Sequence, residues 1–381
     1  MKINLKALTE KELKKFIEGQ KQTLYRAKQI INWIYKKYAT SFEEMTDLSK
    51  SFRELLNKTA FISSLKLLSR IIGTKDGTQK FLFELEDGET IESVLIPDKD
   101  RLTLCISSQV GCAMGCKFCV TGQLGLKRNL KAYEIIDQII SVSKIIAPSV
   151  IPPSPLYPAL SQKCGVYQRG VRGDSSLSKI TNIVFMGMGE PLHNFPEVLE
   201  ALLRITDIVG FSKRRVTLST VGIAPKIFEL AEKAPRINLA ISINATTDEI
   251  RNKIMPINQK YHLKELLNAC RKFPLEPRRQ ITFEYLLLEG INDSKEDALR
   301  LINLLKGIKS KVNLIPYNPS PKRPEFRTTS KDKTIAFQKT LQNAGITAII
   351  RKSKGGDIFA ACGQLKATYF VRNSSTAFKS S

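Results

Sequence analysis

The chain has 381 residues, with 60 Lys and Arg against 36 Asp and Glu, for a formal net charge of +24. That length holds one large domain, or a large domain with a smaller one attached, and the positive excess goes far beyond what solubility requires, so a polyanion is the natural partner. There is no run of about eighteen apolar residues and no basic start leading to an apolar stretch and a small-residue cleavage site, and seven unevenly spaced cysteines make a poor disulfide framework; membrane insertion and secretion are not expected, and reduced thiols in the cytoplasm are.

In chain order, Thr9 and Glu12 form a capping box ahead of a helix with Leu13, Phe16 and Ile17 on one face. A second amphipathic run groups Leu24, Ala27, Ile31, Ile34 and Tyr38, with Lys28, Lys36 and Lys37 on other faces, and Phe52, Leu55 and Leu56 predict a third helix. Residues 1–63 therefore read as a small basic helical domain. Phe81-Leu82-Phe83, the Asp87-Gly88 turn and Ile91 to Ile96 predict a hairpin, read as a linker over 64–100.

From there β-rich segments alternate with helical ones: 102–106, 182–186, 215–220, 238–243, 280–288, 312–317 and 347–351. This is the pattern of an α/β fold, a parallel barrel or open sheet over 101–352, with chemistry at the carboxyl ends of the strands. Residues 148–178 interrupt it with Pro148, Pro152, Pro153, Pro155 and Pro158 and a Gly/Ser/Arg-rich stretch holding Cys164, and read as a surface insertion. Residues 353–381 form a loop around Cys362 and a Ser-rich tail expected to be disordered.

Cys105, Cys112, Cys116 and Cys119 crowd together, the last three as Cys-x3-Cys-x2-Cys. Spacings of four and three would align on one helix face as a buried stripe, but Gly111 and Gly115 favour a loop. Structural zinc needs a fourth ligand, and the two histidines, His193 and His262, are distant in sequence. A [4Fe–4S] cluster on three thiolates, with one iron open to a ligand, suits the count better.

Cys112-Ala-Met-Gly-Cys116-Lys-Phe-Cys119 resembles the signature of radical S-adenosylmethionine enzymes, in which the open iron chelates S-adenosylmethionine and an electron from the cluster yields a 5′-deoxyadenosyl radical. Gly187-Met188-Gly189-Glu190-Pro191, after Ile183-Val184-Phe185, is similar to that family's segment contacting the methionine amino group, which assigns Gly189 and Glu190 to the cofactor. The implied fold is the partial (β/α) barrel of that family.

Gly356-Asp-Ile-Phe-Ala-Ala-Cys362-Gly-Gln-Leu365, Cys105-Ile-Ser-Ser-Gln-Val-Gly111 and Ser212-Lys-Arg-Arg-Val-Thr-Leu-Ser219 narrow the resemblance to the bacterial dual-specificity RNA adenine C2-methyltransferases. The resemblance implies that Cys362 takes a methyl group from a first S-adenosylmethionine. A radical from a second removes hydrogen from that methyl, and the resulting carbon adds to C2 of adenine. Glu92 would be the proton acceptor, and Cys105 would attack Cys362 to release methyladenine and leave a transient disulfide, which reducing thiols reset.

Further cofactor contacts would fall on Ser219, on Ser242-Ile243-Asn244, where Asn244 stands in place of the family's usual histidine, and on Asn318. The implied partners are 23S ribosomal RNA, transfer RNA and an electron donor such as flavodoxin or ferredoxin. The implied protein is a cytoplasmic monomer whose 1–63 domain binds RNA. Lys213-Arg214-Arg215, Arg278-Arg279 and Arg351-Lys352-Ser353-Lys354 are candidate phosphate contacts. Cys164 and Cys270 match nothing, and Cys270 reads as a packed thiol. Two alternatives stay open: the related adenine C8-methyltransferase that confers antibiotic resistance, and a non-catalytic RNA-binding protein with a structural metal.

Overall fold

A computed structural model describes residues 2–147 and 179–365; the proline-rich segment with Cys164 and the Ser-rich tail lie outside them. At the amino end β1 (Ile3–Asn4) leads to α1 (Glu10–Gly19), α2 (Tyr25–Tyr35) and α3 (Lys50–Thr59), and β2 (Ala60–Phe61) returns parallel to β1. Helix α1 starts at the expected capping box: Thr9 accepts from the Glu12 amide, and the Glu12 carboxylate accepts from the Thr9 amide. In α2 the buried face is Ala27, Ile30, Ile34 and Tyr35. The expected stripe ran too long, because Leu24 caps the helix and is exposed, and Tyr38 lies past its end with φ +59°.

The sheet then runs through β3 (Lys66–Ile72), β4 (Gln79–Glu84), β5 (Thr90–Asp98), β6 (Arg101–Cys105), β9 (Asn182–Phe185), β10 (Val216–Thr220), β11 (Asn238–Ser242), β12 (Ile281–Leu287), β13 (Ser310–Pro316) and β14 (Thr347–Ile350). Its order, β14-β13-β12-β11-β10-β9-β6-β5-β4-β3, places each parallel strand beside its predecessor, as sequential right-handed crossovers require. The crossovers carry α4 (Ala132–Ile146), α5 (Phe195–Leu203), α6 (Ala224–Lys233), α7 (Asp248–Ile254), α8 (Leu263–Lys272), α9 (Lys295–Leu305) and α10 (Lys331–Asn343). Strands β14 and β3 are the two edges, so this is a partial barrel. Among the described residues no helix is long and apolar enough to cross a membrane.

The expected hairpin forms, with Glu84 opposite Thr90, but it is no mere linker: β5 pairs with β6 and extends the barrel sheet in antiparallel fashion. Strand β3 has no counterpart in the sequence reading. Its Lys-Leu-Leu-Ser-Arg-Ile-Ile lacks alternation, since it is an exposed edge strand whose register shifts between Leu67 and Ser69.

The helical region does not stand apart from the barrel. Lys6, 1% exposed, reaches across to Asp137 of α4 at 2.5 Å and to the Ser63 carbonyl at 2.7 Å. Arg204, just past α5, donates to the Lys6 and Leu8 carbonyls and to the Tyr35 hydroxyl. Removing one member of a buried pair strands the other charge. Asp137→Ala should therefore cost about 3–5 kcal/mol, while Lys6→Met with Asp137→Leu recovers most of it; the shift in the urea unfolding midpoint reads both, and a midpoint unmoved by Asp137→Ala would refute the role of the pair.

Candidate active site

A cavity of about 200 Å³ opens at the carboxyl ends of the parallel strands. Its wall brings together Cys105, Cys112, Cys116, Cys119 and Cys362, along with Gly189, Glu190, Ser219, Ser242 and Asn244.

The cysteine segment leaves β6 and folds into a short antiparallel flap, β7 (Gln109–Cys112) against β8 (Gly125–Asn129). Gly111, at φ +77°, is obligatory: a Cβ there would lie 1.9 Å from the Gly125 carbonyl oxygen. Cys112 thus ends a strand, while Cys116 and Cys119 sit in the following turns, where the Gln123 amide donates to the Cys116 carbonyl at 3.0 Å. Burial pushes the Cys112 thiol up to about 12 and the Cys116 thiol well above its ordinary value, and the neighbouring thiols add to both shifts.

Three thiols that share one wall, two of them buried and Cys119 half-buried, accept negative charge only beside a cation. Among the described residues no three Cys, His, Asp or Glu side chains converge as a single-ion site requires. An all-sulfur, three-ligand set around a cavity fits an iron–sulfur cluster with an open corner.

After β9 the Gly187–Glu190 turn interlocks with the start of the flap. Gly189 takes φ +99°, and a Cβ would meet the Gln109 side chain at 2.5 Å. The Glu190 carboxylate accepts from the Leu192 and Val221 amides and from the Thr220 hydroxyl at 2.6 Å. Burial nevertheless raises it to about 7, which a bound ammonium group would reverse. Thr220, absent from the sequence reading, is therefore part of this corner.

The loop around Cys362 is tied down onto the cysteine flap: the Val120 amide donates to the Gly363 carbonyl at 2.8 Å and the Thr121 hydroxyl to the Leu365 carbonyl at 2.6 Å. Cys362 is open to the cavity although protein surrounds it. Cys105 is buried at the end of β6 and its thiol is pushed up to about 12, first by burial and then by the neighbouring Cys362.

Glu92 is not in the cavity wall. It shares the face of β5 that carries the wall residues Val94 and Ile96, is 2% exposed rather than solvent-facing, and pairs with Lys80 at 3.2 Å. Lys80 also donates to the Phe359 carbonyl in the Cys362 loop. Asn244 takes φ +51°, a region asparagine tolerates. Its side-chain oxygen accepts from the Leu286 amide and its nitrogen meets the Met255 sulfur.

Two expected contacts fall outside the wall. Ile243 is fully buried, its amide bonded to the Glu284 carbonyl and its own carbonyl to Arg251, and Asn318 accepts from the Ser353 hydroxyl. Lys213-Arg214-Arg215 and Arg278-Arg279 stand ahead of β10 and β12, at the opposite end of the barrel from the cavity.

Arg351, Glu284 and Tyr317 line the wall. Only Arg351 had been singled out, as a phosphate contact. A lone carboxylate inside the apolar run of β12 was the available signal for Glu284. Cys270 is packed in α8, as expected.

Comparison with known proteins accords with this geometry. Residues 3–62 match the family model "Ribosomal RNA large subunit methyltransferase N-terminal domain", and residues 176–302 match "Radical SAM superfamily". The dual-specificity RNA methyltransferase RlmN of Pelobacter propionicus is 48% identical over 96% of this chain and 96% of its own. That of Geotalea uraniireducens is 48% identical over 96% and 97%. The crystal structure of a radical SAM methyltransferase from Sphaerobacter thermophilus superposes with a TM-score of 0.83 at 38% identity, covering 96% of this chain and 100% of that one. With this agreement along nearly its whole length, the chain belongs to the RlmN family of dual-specificity RNA methyltransferases, radical S-adenosylmethionine enzymes that work with a [4Fe–4S] cluster.

Proposed function

We propose that this enzyme methylates C2 of adenine in 23S ribosomal RNA and in transfer RNA, carrying the methyl group on Cys362. The observation that supports this most is the gathering of five thiols in one wall: three on the flap and two, Cys105 and Cys362, beside each other. The first three would hold the cluster; the other two have no ligand role to fill and suit thiol exchange.

Bound at the cluster, S-adenosylmethionine supplies both a methyl group and, on one-electron reduction, the means to remove a hydrogen atom. Glu190, held by three donors, would receive its amino group, with Gly189 allowing close approach and Ser219, Ser242 and Asn244 facing the rest of it. Ile243 and Asn318, outside the wall, would act through the backbone that shapes it. Cys362 would give up its proton to solvent, and its sulfur would take the methyl carbon as the methyl–sulfonium bond breaks and S-adenosylhomocysteine leaves. Arg351 lies near enough to favour that thiolate against the penalty of burial.

Once the carbon is joined to C2, the adduct would give up one electron, which the oxidised cluster is able to accept, and its C2 proton, which Glu92, on the same face of β5 as the wall residues Val94 and Ile96, would receive. Cys105 then attacks the Cys362 sulfur. The sulfur–carbon bond breaks with its electron pair going to carbon, that carbon takes up a proton, such as the one Cys105 gives up, to leave as methyladenine, and the disulfide awaits reduction by external thiols. The base must be unstacked to enter the cavity, and the helical region at 1–63 would grip the surrounding RNA. The electron would come from a carrier such as flavodoxin or ferredoxin, in the cytoplasm, with the enzyme acting as a monomer.

Replacing Cys112, Cys116 or Cys119 with Ala should remove the brown colour and bound iron while leaving the far-ultraviolet circular dichroism unchanged; full iron retention in any of the three sinks its assignment as a ligand. In anaerobic assays, mass spectrometry of RNA nucleosides should find 2-methyladenosine, absent with Cys362→Ala, and 8-methyladenosine as the sole product would overturn the reading. Cys105→Ala should accumulate a protein–RNA adduct that survives denaturing gels, and free methylated RNA from this variant at the normal rate would remove Cys105 from the mechanism.

A further inference from the structure

We propose that Glu284 and Arg351 read the edge of the adenine that is methylated, the Glu284 carboxylate accepting from the exocyclic amino group and the Arg351 guanidinium donating to ring nitrogen N1. This rests on the C2-methylation reading above. Glu284 sits midway along β12, only 5% exposed, and lines the cavity. One of its oxygens accepts from the Asn313 amide at 3.0 Å, which fixes the carboxylate. The other, Oε2, is buried and has no hydrogen-bond partner among the described residues.

Arg351 Nη1 stands 3.9 Å from that oxygen, close enough to pair in charge and too far to hydrogen-bond. No other polar contact of the guanidinium is present among the described residues. An orphaned acceptor beside an unused donor, both facing a cavity, marks where a ligand places a donor and an acceptor side by side. Adenine offers that pair at its amino group and N1. Guanine offers the reverse, an oxygen and an N–H, which would set acceptor against acceptor.

The position also agrees. Arg351 lies within electrostatic reach of both Cys362 and Cys105, which raise its pKa although burial works against it. In adenine N1 adjoins C2, and the amino group is one atom further. A base whose C2 reaches the methyl on Cys362 therefore brings N1 toward Arg351 and its amino group toward Glu284. S-adenosylmethionine also carries an adenine, but its cluster-bound end would lie toward Glu190 and the flap thiols, whereas Glu284 stands within electrostatic reach of Cys362.

The test uses the reconstituted full chain with RNA in which the target adenosine is kept or replaced by purine riboside, which lacks the amino group. Wild type should lose about 10–100-fold in kcat/KM on purine riboside, the worth of a hydrogen bond to a charged group. Glu284→Gln should lose a comparable factor on adenosine and then discriminate far less between the two RNAs, with the dissociation constant for S-adenosylmethionine changed less than about threefold. Additive losses would overturn the proposal, as would weakened cofactor binding with discrimination intact, which would assign the acceptor to the cofactor's adenine. Should the variant not fold, wild type alone decides, and discrimination below about threefold refutes the contact. Absence of 2-methyladenosine from wild type with ordinary RNA would instead reject the functional reading itself.

Discussion

Two hydrogen bonds hold this active site together: Val120 to the Gly363 carbonyl, and Thr121 to the Leu365 carbonyl, the latter pair 244 positions apart in sequence. They fasten the carboxyl-terminal loop to the flap that carries Cys112, Cys116 and Cys119. Ala360, Ala361, Cys362, Gly363 and Leu365 of that loop form part of the cavity wall. The same loop is also tied down elsewhere, by Lys80 donating to the Phe359 carbonyl and by the Gln364 amide donating to the Pro319 carbonyl.

The site also carries an electrostatic cost that the fold must offset. Buried thiols and the Glu190 carboxyl all stand above their ordinary pKa because burial disfavours their charged forms. Arg251, fully buried near Cys116, donates to the carbonyls of Val221, Ser242 and Ile243 and so braces the ends of β10 and β11. Burial lowers even this arginine to about 10. Such groups are stable only in a rigid frame, and the continuous core from the helical region through the parallel strands supplies it. The cofactors would complete the compensation, since iron and the ammonium group of S-adenosylmethionine are the positive charges that the thiolates and Glu190 lack.

The parallel strands were legible because their apolar runs are bounded by polar turns, and each ended within a few residues of its expected place. The flap was legible as a loop through Gly111 and Gly115, but not as a two-stranded ribbon, because the register of β7 on β8 depends on a close backbone approach rather than on side-chain pattern. Strand β3 escaped because an exposed edge needs no alternation. The stripe of α2 was read one residue too early at its start and about a turn too far at its end, since periodicity alone does not say where a helix stops.

By itself the sequence determined the chemistry that can be done here: which thiols exist, their spacing, the glycines that let the backbone bend, and a positive charge suited to RNA. Those are local properties, carried by residue type and by neighbours in the chain. The tertiary structure decided which of them meet. It set Cys105 beside Cys362, drew Thr220, Glu284 and Arg351 into the wall, left Ile243 and Asn318 behind it, and sent Lys213-Arg214-Arg215 to the far end of the barrel. The physical reason is that strand order and loop docking, which join residues hundreds of positions apart, arise from long-range pairing and burial that no local pattern encodes.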